Sequence, residues 1–256
     1  MSGVPREVPP PLRIAFVPGV SPDTWARKWR ERVRRVPLVL LPIPLADQLA
    51  VLRDGRADMA LVRLPVEPDG LSVIGLYEEV PVVVVPKDHP VAAYEAVDVA
   101  DLSEEHLLQD PDEVPAWRDV ATEIATGTRY PVPPMTLEQA IATVAAGTGI
   151  VIVPMSLARL HQRKDVTARP VTGVEASRVG LAWPADRSDE RTDYFIGIVK
   201  GRTANSSRSP VPGEPVDRSP RPAGPASGAR RPTPRTSRGA GRGRSVSRRG
   251  GRADPA

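Results

Sequence analysis

Five short segments of this chain, LRIAFV (12–17), LVLLPI (38–43), MALV (59–62), PVVVVP (81–86) and IVIV (150–153), are apolar almost from end to end. They are too short for buried helices, and they lack the alternation of a strand with one wet face, so both faces of each must be covered. The stretches between the first three have helical spacing. After Ser21 as N-cap and Pro22 at the first helical position, Trp25, Trp29, Val33 and Val36 recur every three or four residues, predicting a helix to about Arg35. Leu45, Leu49 and Leu52 give a second stripe, ended by Gly55. A βαβαβ order of this kind implies a parallel sheet with helices on both faces.

A second set begins beyond residue 86. A helix is expected from about Pro115, with Trp117, Val120 and Ile124 on one side. Another starts at the capping box Thr136-Leu-Glu-Gln139, buries Leu137, Ile141 and Val144, ends at Gly147 and passes into the strand at 150–153. Residues 179–183 read as a strand, and 194–199 fit strand or helix equally. Two such sets over about 190 residues suggest two small lobes with a cleft between them.

Composition sets the limits of the folded part. Residues 204–256 hold twelve arginines, no lysine and three acids amid Pro, Ser and Gly, so they are expected to be a disordered tail. That tail carries +9 of the formal net charge of +4, which leaves −5 for residues 1–203. The body is therefore mildly acidic, and any contact with a polyanion falls to the tail. Residues 1–11, with four prolines, read as an extended leader. There is no cysteine, hence no disulfide or thiolate chemistry. No apolar run fits a secretory signal or a membrane span, so a cytoplasmic location with no membrane partner is expected.

Four stretches, LRIAFVPG (12–19), LRDGRADMALV (52–62), EEVPVVVVPKDHPVA (78–92) and TVAAGTGIVIVP (143–154), stand in one order and together resemble the effector-binding domain of LysR-type transcriptional regulators. The resemblance covers 12–203. It implies an α/β fold of two Rossmann-like lobes with an interlobe cleft, similar to type 2 periplasmic binding proteins, the chain crossing between lobes twice. On that pattern lobe one is 12–85 plus 188–203 and lobe two is 86–187. Gly55, Gly147 and Gly149 would stand where a helix reverses into a strand. Only eleven residues precede Leu12, too few for the family's winged helix-turn-helix. The expected function is thus a stand-alone effector-binding protein, regulatory or accessory, pairing with itself or with a full-length LysR-type regulator.

The resemblance also implies a site for a small organic ligand, with a carboxylate as the expected class. Its residues would be Pro18, Gly19, Val20 and Ser21 after the first strand, Leu45 at the second helix, Arg63 at the end of the third strand, and Pro115, Ala116 and Trp117 in lobe two, with Ile152 behind them. Helix starts at Ser21, Leu45 and Pro115 would point N–H groups into the gap. Arg63 either grips a carboxylate bidentately or forms a strand-end or lobe–lobe ion pair. Trp117 either faces the ligand or packs in the core with Val120 and Ile124. Gly19 and Leu45 stand where the family often has hydroxyls, which makes the pocket greasier: the ligand is more apolar, or binding is weak.

No catalytic function is expected. His89, His106 and His161 share no metal spacing, Asp58 and Asp88 sit in turns, no nucleophile–base pair or cofactor motif is present, and no cofactor or metal is implied. The alternative function rests on the tail: a nucleic-acid-associated interaction protein whose arginines touch phosphates without reading sequence. A merely solubilising tail would have the same composition.

Overall fold

The computed structural model describes residues 9–201 of the 256; the disordered tail and most of the extended leader expected from composition lie outside the described residues. In chain order the elements are β1 (Leu12–Phe16), α1 (Asp23–Arg32), β2 (Leu38–Pro42), α2 (Ala50–Arg53), β3 (Met59–Leu64), β4 (Leu71–Glu79), β5 (Pro81–Pro86), β6 (Val97–Asp98), α3 (Pro115–Arg118), α4 (Thr122–Ala125), α5 (Leu137–Ala145), β7 (Val151–Pro154), α6 (Met155–Leu160), β8 (Val166–Thr172), β9 (Ser177–Pro184) and α7 (Glu190–Val199).

They build two sheets, ordered β2-β1-β3-β9-β4 and β6-β8-β5-β7. The parallel βαβαβ expectation describes β1, β2 and β3, with β2 at the sheet edge where Pro42 is tolerated. Beyond them the first sheet is antiparallel: β9 runs against both β3 and β4. The second sheet is antiparallel around β5, which pairs with β7 and β8. The valines of β5 are nonetheless buried on both sides, each 2% exposed or less. Val83 and Val85 join Trp117 and Ile150 in one cluster, Val82 and Val84 join Ile141 and Val144 in another. A wholly apolar strand thus reports two covered faces, not strand direction.

The lobe boundaries differ from the expected ones. Strand β5 belongs to the second sheet and β9 to the first, so the chain crosses at Val80, between β4 and β5, and again at 173–176, between β8 and β9. Lobe one holds β1–β4, β9 and α7; lobe two holds β5–β8 and α3–α6.

Several local expectations are corrected. Helix α1 starts at Asp23 with Pro22 as N-cap; the Ser21 hydroxyl instead donates to the Asp23 carboxylate at 2.9 Å. It ends at Arg32, where the chain folds back so that the Trp29 indole donates to Val36 O at 3.0 Å. The Leu45 stripe is broken into a 3-10 turn at Leu45–Asp47 and the single turn of α2. The helix expected from Pro115 is two short ones, α3 and α4, with Val120 and Ile124 exposed. The capping box forms as read, Gln139 N donating to Thr136 Oγ1 and Thr136 N to Gln139 Oε1. The undecided segment 194–199 is the end of α7, whose Tyr194 and Phe195 pack on the buried Trp29 with ring centroids 6.0 Å apart.

Of the turn glycines, Gly55 and Gly147 have φ of 67° and 78°. Gly149 answers to a close approach instead: a Cβ there would clash with the His106 carbonyl oxygen, which accepts from Ile150 N at 2.8 Å.

Candidate functional site

Arg63 lies at the carboxyl end of β3, where the two lobes meet. Its Nη1 donates to Glu79 Oε2 at 2.6 Å and to Ser177 Oγ at 3.0 Å. Its Nη2 donates to Pro18 O at 3.2 Å and to Ser156 Oγ at 3.1 Å. Glu79 is the last residue of β4 and Ser177 the first of β9, so one guanidinium fastens both strands that cross between lobes. Ser156 belongs to α6 of lobe two. Both side chains of the ion pair are nearly buried, 11% and 8% exposed, a setting in which loss of either partner strands a charge. Burial raises the nearby Tyr77 phenol above its usual range, with Glu79 adding to that and Arg63 opposing it.

Beside this junction are two chambers. The larger, about 870 Å³, is lined by Leu45 and Arg63 of lobe one and, from lobe two, by Leu108, Met135, Leu137, Ile152 and Leu157 among others. The smaller, about 520 Å³, is bounded by Leu64 and Pro65, by Pro81 and the crossing segment 173–176, and by Val114, Pro115 and Ala116. Glu113 and the strip Ile152-Val153-Pro154 line both.

The predicted site residues therefore do not form one group. Leu45, Arg63 and Ile152 share the larger chamber; Pro115, Ala116 and Ile152 share the smaller. Pro18 is exposed, with its carbonyl on Arg63; Gly19, with φ of 82°, faces protein, so near α6 that a Cβ would come within 2.6 Å of Ser156 Oγ. Val20 is in the lobe-one core, and Ser21 is exposed. Trp117 is completely buried in lobe two, its indole N–H donating to Leu102 O at 3.0 Å and its ring 5.6 Å from the Arg129 guanidinium carbon. The helix starts at Leu45 and Pro115 are a three-residue turn and a four-residue helix, too short for a dipole of consequence.

Sequence reading missed much of the larger chamber's wall. Gln109 accepts from Ile152 N at 2.8 Å and donates to Glu113 at 3.3 Å. Arg129 pairs with Glu123 and donates to Leu107 O and Gln109 O, at 2.8 and 3.0 Å. Pro133, Pro134 and Met135 lead into the capping box, and that adjacency was the available signal. The wall is mostly apolar; of its five polar side chains Gln109 and Glu113 bind each other, while Arg63, Asp110 and Arg129 are held by other groups. Asp58 is structural, accepting from Arg13 N and Nη2, both at 2.8 Å, and so tying β1 to β3. Among the described residues no group of His, Asp or Glu could hold a metal ion, and no helix is long and apolar enough to cross a membrane.

The family model for the LysR substrate binding domain matches residues 6–204. The chain belongs to this family. A probable hydrogen peroxide-inducible genes activator of Mycobacterium avium is 31% identical over 201 residues, 75% of this chain and 60% of that protein. A probable cat1 operon transcriptional activator of Acinetobacter lwoffii is 28% identical over 201 residues, 74% and 64% of the two chains. Among solved structures, the hydrogen-peroxide-bound C206S mutant of Corynebacterium glutamicum OxyR has a TM-score of 0.58 at 26% identity, covering 74% of this chain and 66% of that one. The BenM effector-binding domain with its effector benzoate has a TM-score of 0.59 at 20% identity, covering 76% and 92%, which establishes the fold alone. The chain spans about 60% of the length of the first curated relatives it matches. The LysR substrate-binding fold here is thus the mixed α/β, two-lobed fold expected.

Proposed function

We propose that this LysR substrate-binding domain takes a small, largely apolar organic effector into its larger interlobe chamber and reports it, in transcription regulation, through the arrangement of the two lobes. The observation that carries this reading is the chamber itself, about 870 Å³, with apolar side chains from both lobes on its wall. The carboxylate expectation is weakened because both Arg63 Nη atoms already have acceptors, so an anion at either would have to displace one of them: Glu79 or Ser177 on Nη1, Pro18 O or Ser156 on Nη2. The missing hydroxyls at Gly19 and Leu45 fit the same apolar preference. No nucleophile–base pair favours an enzyme, and the partners called for are the ligand and a second copy of this fold, from this chain or a full-length LysR-type regulator, in the cytoplasm.

Relatives named for hydrogen peroxide suggest a different signal, but these 256 residues hold no cysteine. Peroxide sensing by thiol oxidation has no residue to act on here. A thermal-shift screen of small aromatic and aliphatic compounds, with and without a carboxylate, tests the reading. At a hundredfold excess over Kd a ligand stabilises by about 2.7 kcal/mol, a rise of roughly 5–10 °C for a domain of this size. The Leu45→Asp variant, altered at a half-exposed chamber residue, is expected to lose that rise. A flat screen with a folded protein sinks the idea.

The arginine-rich composition of 204–256 favours a second reading, non-specific phosphate contact by the tail. It requires retention on heparin at low salt that vanishes when 204–256 is deleted.

A further inference from the structure

A basin of about 730 Å³ opens on lobe two, sharing no lining residue with either interlobe chamber. Its floor is apolar: Val84 of β5, Val166 and Ala168 of β8, and Met155 and Ala158 of α6. Its rim is basic, made by Lys87, Arg159, His161, Arg163 and Lys164, and no carboxylate lines it. The acids that bear on the rim are Asp165, held bidentately by Arg163 at 2.9 and 2.8 Å, and Glu138 of α5, which acts on the same guanidinium. Asp165 also acts on Lys87. Among the described residues, Arg159, His161 and Lys164 have no side-chain hydrogen bond or ion pair.

Four permanent cations against these two acids leave an excess of +2 with histidine neutral. The carboxyl end of a six-residue helix, α6, calls for no more than one compensating cation. The surplus lies over a patch of buried or half-buried apolar side chains, which a bare inorganic anion would leave wet. A phosphate monoester carries about −1.5 to −2 at neutral pH, and its oxygens suit the fork of an arginine together with a lysine point charge. From this match of charge above and apolar surface below, we infer that the basin is a second binding site, for a small organic phosphate monoester with a flat apolar body. It is independent of the effector proposed for the cleft.

The test is calorimetric titration of the full chain with adenosine monophosphate, adenosine and inorganic phosphate as probes. The monophosphate is expected to bind saturably, and adenosine and inorganic phosphate at least about tenfold more weakly, since each supplies only half of the match. The exposed pair Arg159→Gln/Lys164→Gln should weaken the monophosphate about tenfold or more with an unchanged melting temperature, and Lys87→Gln alone should weaken it severalfold. An equal loss in Arg248→Gln/Arg249→Gln would assign the binding to the tail and overturn the site. So would equal binding of inorganic phosphate, unchanged affinity in the Arg159/Lys164 and Lys87 variants, or no saturable binding of the monophosphate.

Discussion

The Arg63 guanidinium and the Glu79 carboxylate meet at 2.6 Å where the two lobes join, and both are nearly withdrawn from water. Removing the arginine alone leaves a buried carboxylate without its counter-charge, so Arg63→Ala is expected to destabilise the domain by about 3–5 kcal/mol. Replacing both partners, Arg63→Met with Glu79→Leu, should cost much less than either single change, because no charge is stranded. Urea unfolding of the two singles and the double gives the coupling. Additive singles would show that the pair is not formed in solution.

Trp117 separates two readings of one residue. Its ring is completely buried and its indole holds Leu102 O. Trp117→Phe should therefore lower stability by about 0.5–1.5 kcal/mol by removing one of the two hydrogen bonds to that carbonyl, which also accepts from Glu105 N at 3.2 Å, while effector affinity in the cleft stays within a factor of two of the parent. A variant of parental stability that loses ligand binding would place the ring at the ligand instead.

The strands that were legible in the sequence were those whose apolar character is unbroken, such as β5, because burial on both faces leaves no room for polar residues. Strands β4 and β8 were not legible. They mix Ser72, Gly75, Thr167 and Pro170 with valines, and β4 lies at a sheet edge with Tyr77 and Glu78 exposed. The lobe boundaries were missed because strand partnership is set by long-range register, which no local pattern encodes. At the site, Arg63 was found because a charge that closes an apolar strand stands out. Of its partners only Pro18 was among the expected site residues: Glu79 belongs to the unread β4, Ser156 to the unread α6, and Ser177 precedes the stretch read as a strand.

Gly149 is expected to be intolerant of even a methyl group. Its Cα faces the His106 backbone, which pairs with Ile150 and so aligns the 106–108 segment with β7. Gly149→Ala must push that backbone aside, at a cost of about 1–3 kcal/mol by overpacking. The same change at Gly147, where φ is 78° and nothing lies within 4 Å, acts through backbone strain alone, at roughly 1 kcal/mol. Chemical denaturation of the two variants ranks them; equal losses would mean that the close approach relaxes freely.

The acid limb of stability should report on Asp189, the N-cap of α7. Burial pushes its carboxyl up, but the side chain of Arg191 and the backbone N–H groups of Thr192 and Arg191 outweigh it, and the net direction is downward. A carboxyl whose folded pKa lies below its unfolded value of about 3.9 contributes its full stabilisation above that unfolded value. The contribution is lost as pH falls through the folded one. Asp189→Asn keeps a capping oxygen but no charge, so the variant should lose stability relative to the parent at pH 7 and converge with it near pH 2. Asp189→Ala also loses the cap, about 1 kcal/mol, and should stay below the parent at every pH. Urea midpoints at pH 7, 4 and 3 decide the matter. An asparagine variant that tracks the parent at constant distance through this window would show that the Asp189 charge has no part in holding α7.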